Sequence, residues 1–280
     1  MGVAPGRFDQ LVDDLGQMER AFKTGEPGRL TEPLEHRATM IAVVESLDLI
    51  QIHRAFRGRE EDELTRRLAK GATGPRSGGM EASEKHAGGR NVLAELSWAA
   101  VLRLNGVIAE LDPRADVISL MEGRRESSKP PAVVWEVKRP LSFDSLENIV
   151  VKAARQVRDI VAGPHEKFDL LGGCVVVSLD HAPLPGLLDA HSTDVIGAAM
   201  EVAIREFGWE RMSTWLKADK AGVLGVVLRW RPMARVPYAE KNVLVPFGCE
   251  QIAFIPVRPE RPPHAEAVAR TIMNLRGMSL

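Results

Sequence analysis

Four side chains have the types and spacing that phosphoryl chemistry needs: Glu95, Asp116, Glu136 and Lys138. Residues 132–140 read AVVWEVKRP, an apolar run that takes up an acid, a spacer and a lysine before a proline ends it. The run predicts a strand. Strand side chains alternate, so Glu136 and Lys138 share one face with Ala132 and Val134, and Val133, Trp135 and Val137 take the other. Two charges at the end of a buried strand are costly unless compensated, and a metal ion or a phosphate would compensate them. Asp116 opens a second apolar run, residues 115–121, twenty positions before Glu136. If the runs pair about 4.8 Å apart, Asp116 lies beside Glu136 and the two carboxylates can share a divalent cation. Such an ion would polarise a phosphodiester and acidify a bound water. Lys138 would then orient that water or stabilise the transition state.

The elements that position these residues follow from periodicity. Residues 1 to about 70 predict a helical N-terminal region. Phe8, Leu11, Val12, Leu15 and Met18 recur at helical spacing, a buried apolar helix covers Met40 to Ile50, and a charged helix runs from about Arg59 to Lys70. This region suits a cap or an oligomerisation element. Residues 71–90 hold six glycines and read as a linker or loop. No Gly-Lys-Ser/Thr closes them, so they are not a phosphate loop. A helix from Asn91 to Leu104 carries Glu95 on the face that also holds Trp98, Ala99 and Leu102. A glutamate there is either paired with an arginine or part of a site. Three short strands follow, at 107–111, 115–121 and 132–139. Then come a helix opened by an Asp144/Glu147 capping box and an apolar strand at 170–179, buried on both faces. A helix from Thr193, strands at 223–230 and within 243–257, and a terminal helix after Pro262-Pro263 complete the chain. The expected fold class is α/β over residues 91–280, a central mixed sheet flanked by helices.

Formal net charge is −1, so any nucleic-acid binding must come from a local patch. From Arg124 to Arg158 there are eight Lys/Arg (124, 125, 129, 138, 139, 152, 155, 158) against four acids (126, 136, 144, 147). Arg124, Arg125, Arg139, Lys152 and Arg155 are the candidate nucleic-acid contacts, with Arg139 as a phosphate clamp. Two cysteines without a CxxC pair point to a reduced, cytoplasmic setting. No apolar stretch approaches the ~18 residues of a membrane span, and the N-terminus lacks a signal-peptide pattern. The seven histidines have no ligand spacing, which argues against zinc. No Gly-x-Ser-x-Gly elbow and no dinucleotide fingerprint after a strand is present.

Asp116, the Glu136-Val137-Lys138 triplet, Glu95 on the preceding helix and the order helix, three strands, helix, strand together resemble the PD-(D/E)XK, or restriction-endonuclease-like, nuclease superfamily. The resemblance covers roughly residues 90–180. It implies that Asp116 and Glu136 are ligands of Mg²⁺ or Mn²⁺, that Lys138 is the catalytic lysine, and that Glu95 is an accessory acid and metal ligand. It also implies that Gln156 is the helix glutamine of several members. The implied activity is phosphodiester hydrolysis, of DNA before RNA, in restriction, repair or phage defence, with a homodimer suited to cutting both strands. Ala115 stands where members often have proline, and Asp112-Pro113 offers a rival aspartate. Asp116 is preferred because it starts an apolar run, whereas Asp112 falls in a turn. Two other readings stay open. One is a catalytically inactive nuclease-fold protein acting as a nucleic-acid-binding or assembly module; the other is an oligomeric protein that binds no nucleic acid.

Overall fold

The computed structural model describes residues 8, 12, 13, 16, 33–59, 61–72, 88–121, 128–140, 142–180, 193–231, 233–238, 241–246, 250–257 and 263–275. The predicted stripe at Leu11, Leu15 and Met18, most of the 71–90 linker, Arg124 and Arg125 lie outside the described residues. The chain folds as an α/β protein around a six-stranded mixed sheet with helices on both faces.

The N-terminal helices are α1 (Pro33–Phe56) and α2 (Asp62–Gly71). The segment that bears the candidate residues is α3 (Gly88–Leu104), β1 (Ala109–Leu111), β2 (Val117–Leu120), β3 (Pro131–Lys138), α4 (Leu146–Ala162) and β4 (Asp169–Ser178). Then follow α5 (Thr193–Glu210), α6 (Met212–Leu216), β5 (Val223–Trp230), β6 (Met233–Tyr238), β7 (Lys241–Pro246), β8 (Gln251–Pro256) and α7 (Pro263–Asn274). The sheet order is β1-β2-β3-β4-β5-β8, and among the described residues β6 and β7 pair as a separate two-stranded sheet. The first three strands are an antiparallel meander, β3, β4 and β5 are parallel, and β8 returns antiparallel to β5.

Alternation along the strands sorts side chains into two layers. Val133, Trp135 and Val137 of β3 pack with Cys174 and Val176 of β4 against α3, joined by α1 residues Ile52 and Phe56 and by Leu64 of α2. On the opposite face, Val175 and Val177 pack against α4, α5 and α6. Helix α3 is buried almost all round, as expected of a helix lacking a polar face. Its Trp98 ring meets Trp135 at 5.4 Å between centroids, and the Trp135 indole donates to Ser119 Oγ at 2.8 Å. That bond settles the polar atom of an otherwise apolar anchor.

Two glycines let β4 close on its neighbours. Gly172 has φ +151°, and a Cβ there would lie 2.8 Å from Leu224. A Cβ on Gly173 would lie 2.7 Å from Val157 of α4 and 2.9 Å from the Val134 carbonyl. The β3–β4 register shifts at this point, between Ala132 and Val133. The pair therefore lies inside a strand, at a bulge.

Other expectations change in detail. Helix α4 is entered through Ser145 with no side-chain cap, so Asp144 is not its N-cap, and Glu147 pairs instead with Lys217, just after α6. Strand β6 was not expected; it pairs with β7 as a hairpin, with Pro237 opposite Asn242. The N-terminal helices are no appendage, since α1 and α2 contribute to the main core. Among the described residues no helix is long and apolar enough to cross a membrane.

Candidate active site

Strand β2 begins at Val117, opposite Trp135, and residues 112–116 before it form a turn. The next β3 amide facing that side, Val137 N–H, has no β2 carbonyl left to meet. The Asp116 carboxylate takes its place, with Oδ2 accepting at 2.7 Å. This bond fixes Asp116 at the end of β3, next to Glu136 and Lys138.

Glu136 and Lys138 are two residues apart on one strand and meet directly, Nζ to Oε1 at 2.5 Å. The same ammonium lies 3.6 Å from Asp116 Oδ2. Glu95 comes from α3. Its Oε2 accepts from Arg67 Nη1 at 2.9 Å, and that nitrogen also donates to the Asp116 carbonyl at 2.8 Å. Three carboxylates and two cations therefore converge from α2, α3, the turn before β2, and β3. Glu136 is almost fully covered, whereas the Asp116 and Lys138 side chains keep 16% and 18% exposure, so the cluster has a window to solvent.

The electrostatics follow from that count. Burial raises the Glu95 carboxyl, Asp116 raises it further, and Arg67 and Lys138 oppose, leaving it at about 7. Burial also raises Glu136, again with Asp116 and against Lys138, to about 7. Burial alone would pull the Lys138 ammonium down, but Asp116 and Glu136 outweigh it and hold it above its ordinary value. An acid pair poised near neutrality beside a firmly charged lysine is an arrangement found where protons or cations are handled. Among the described residues no group of three or more His, Cys, Asp or Glu forms a ready-made metal cage. The cation between Asp116 and Glu136 here is the Lys138 ammonium.

Asp112 is occupied elsewhere. Its Oδ1 accepts from the Arg114 and Ala115 amides, and its Oδ2 lies 3.0 Å from His165 Nε2. It is a turn residue, and Asp116 alone of the two reaches β3. Gln156 is exposed on α4 and forms no hydrogen bond to the four residues, so the structure does not bring it to the cluster. Lys152 and Arg155 are exposed on α4 and make no ion pair among the described residues, and Arg158 pairs with its neighbour Asp159.

Arg139 requires a correction. As a phosphate clamp it would be exposed, but its side chain is fully covered and bonds to Asp48 at 2.8 Å and to Asp180 at 3.4 Å. The physical reason is alternation: Arg139 falls on the face of Trp135 and Val137, opposite to Lys138. With Arg229, Arg231 and Glu250 these residues form a second cluster, closed to solvent.

Arg67 was missed. Its signal was an arginine on the inward row Leu64, Arg67, Gly71 of a charged helix. The described cavity of about 570 Å³, lined by residues such as Asn105, Ile108, Met121 and Arg270, contains none of the cluster residues. No protein-family model matches the chain, and no curated protein or solved structure matches it.

Proposed function

We propose that this protein is a divalent-metal-dependent nuclease with a restriction-endonuclease-like core, hydrolysing phosphodiester bonds in DNA. The observation that carries the reading is the meeting of Glu95, Asp116, Glu136 and Lys138 at one end of β3, brought there by separate elements. The order α3-β1-β2-β3-α4-β4 is compatible with that core.

The donor set suits Mg²⁺ or Mn²⁺: hard carboxylate oxygens, largely covered, with more negative than positive charge around them. Asp116 and Glu136 would hold the ion, and Glu95 would complete the set. When bound, the ion supplies Lewis-acid polarisation of the phosphate and a more acidic water. Lys138 balances Asp116 and Glu136 in this structure. With those carboxylates neutralised otherwise, its ammonium is released to orient the attacking water or to stabilise charge on the phosphate. Lys152 and Arg155 supply sequence-independent attraction for the backbone.

The test is incubation of supercoiled plasmid, single-stranded DNA and RNA with Mg²⁺ or Mn²⁺, comparing wild type with Lys138→Ala. Metal-dependent cleavage of DNA that drops about 10²–10⁴-fold in the variant is expected. Equal background from the two proteins overturns the reading. DNA binding without cleavage or Mn²⁺ uptake moves it to a binding module.

A further inference from the structure

Arg67 bonds two of the four residues that define the candidate site, Glu95 and Asp116, and the turn that carries one of them. Its Nε–H donates to Glu63 Oε1 at 2.7 Å, within α2. Nη1 donates to Glu95 Oε2 at 2.9 Å and to the Asp116 carbonyl at 2.8 Å. Nη2 donates to the carbonyls of Asp112 at 2.6 Å and Ala115 at 3.0 Å. All five guanidinium N–H donors thus have acceptors. Three of those acceptors belong to the turn that delivers Asp116 to β3. A fourth is the Glu95 carboxylate.

We infer that Arg67 is a positioning residue of the metal site: from α2 it fixes both the turn that presents Asp116 and the carboxylate of Glu95, and so sets the site's affinity for a divalent cation. The inference rests on the metal-dependent reading above. Asp116 is held at both ends, its carbonyl by Arg67 and its carboxylate by Val137 N–H. Arg67 is itself aimed by Glu63, and α2 is tied to α3 by Arg103 and Glu61 at 2.9 Å. The fork geometry is specific. A lysine at 67 keeps the charge but offers three donors on one nitrogen, too few and too close together to span Glu95 and three carbonyls. Residues that orient ligands without binding the ion typically tune affinity in this way.

The experiment compares wild type with Arg67→Lys, Arg67→Met and Glu63→Gln in the full chain. It reads Mn²⁺ binding by calorimetry, hydrogen exchange across residues 112–117, and cleavage kinetics. The Arg67 variants are expected to bind Mn²⁺ about 10–100-fold more weakly. They are also expected to exchange faster across 112–117 and to lose kcat while KM for DNA holds. Glu63→Gln removes the charge that aims Nε, and loosens exposed Arg66 on the same carboxylate; it should show a smaller change in the same direction, and it carries the test if the Arg67 variants do not fold. Wild-type Mn²⁺ affinity in the variants overturns the inference and leaves the metal-dependent reading intact. Absence of Mn²⁺ binding by wild type overturns that reading, and the inference falls with it.

Discussion

Two charge clusters lie on opposite sides of the peptide bond between Lys138 and Arg139. Lys138 enters the first, with Glu95, Asp116, Glu136 and Arg67. Arg139 enters the second, with Asp48, Asp180, Glu250, Arg229 and Arg231. The second is the more deeply buried, yet its acids are the stronger ones. Burial alone would raise Asp48, but Arg139, Arg231 and Arg229 outweigh it and bring the carboxyl to about 2. For Asp180 the same contest, with Arg231 and Arg139 foremost, also ends at about 2. In the first cluster Glu95 and Glu136 end at about 7. Depth of burial therefore does not separate the two. Charge balance does: three guanidiniums face three carboxylates in one, and two cations face three carboxylates in the other. The closed cluster balances its formal charges, although Arg139 Nη1, Arg229 Nη1, Arg231 Nε and Glu250 Oε2 meet no hydrogen-bond partner among the described residues; the open cluster lacks a cation.

Breaking the closed cluster is expected to have the largest effect. Asp48→Ala leaves Arg139 and Arg231 buried against a single remaining aspartate, a loss of about 3–5 kcal/mol. Denaturant unfolding measures it, and stability close to wild type would mean that the arginines are not held by charge.

A smaller, opposite effect sharpens the contrast. Glu95 and Glu136 have folded values of about 7 against 4.5 unfolded. The folded protein therefore keeps protons that the unfolded chain sheds, and stability falls as pH rises from 4.5 through 7. Asp48 and Asp180 have the reverse sign, about 2 against 3.8, and their contribution is lost only as pH falls through that range. Without added metal, Glu136→Gln is expected to stabilise the protein by about 1 kcal/mol near pH 8 and to have little effect near pH 5. Thermal melts at the two pH values check this, and equal effects at both would remove the imbalance argument.

The smallest expected effect lies outside both clusters. Reversing Lys152 and Arg155 to glutamate should leave stability within about 0.5 kcal/mol of wild type while weakening DNA binding and flattening its salt dependence. A salt titration of affinity reads both, and an unchanged slope would exclude α4 from the contact surface.

The sheet was legible where apolar residues run without interruption: the strands expected at 132–139, 170–179 and 223–230 lie within a residue or two of β3, β4 and β5. Period-two alternation likewise places Glu136 and Lys138 on one face. The same alternation, carried one residue further, puts Arg139 with Trp135 and Val137. Its chemistry suggested phosphate, but its position on the strand decided its place. Long-range partners were not legible. Arg139 meets Asp48 across 91 positions, and Arg67 reaches the turn before β2 across 45 to 49. Periodicity can mark such an arginine as inward-facing, but it cannot name what the residue meets. Arg124 and Arg125 lie outside the described residues; among the described residues the basic rim rests on Lys152 and Arg155.

The closed cluster also bears on the order of folding. Asp48, on the first long helix, is satisfied by Arg231, 183 residues later. During synthesis α1 emerges long before the guanidiniums that neutralise it, and its contacts are among the most distant along the chain. Contacts of that span carry a high closure cost and form late. The ion pairs of Asp48 on α1 are therefore expected to form only after β5 and Arg231 have been made. Helix α2, whose Arg67 meets Glu95 and the turn before β2 only 28 to 49 positions away, closes much shorter loops and is not bound by that delay.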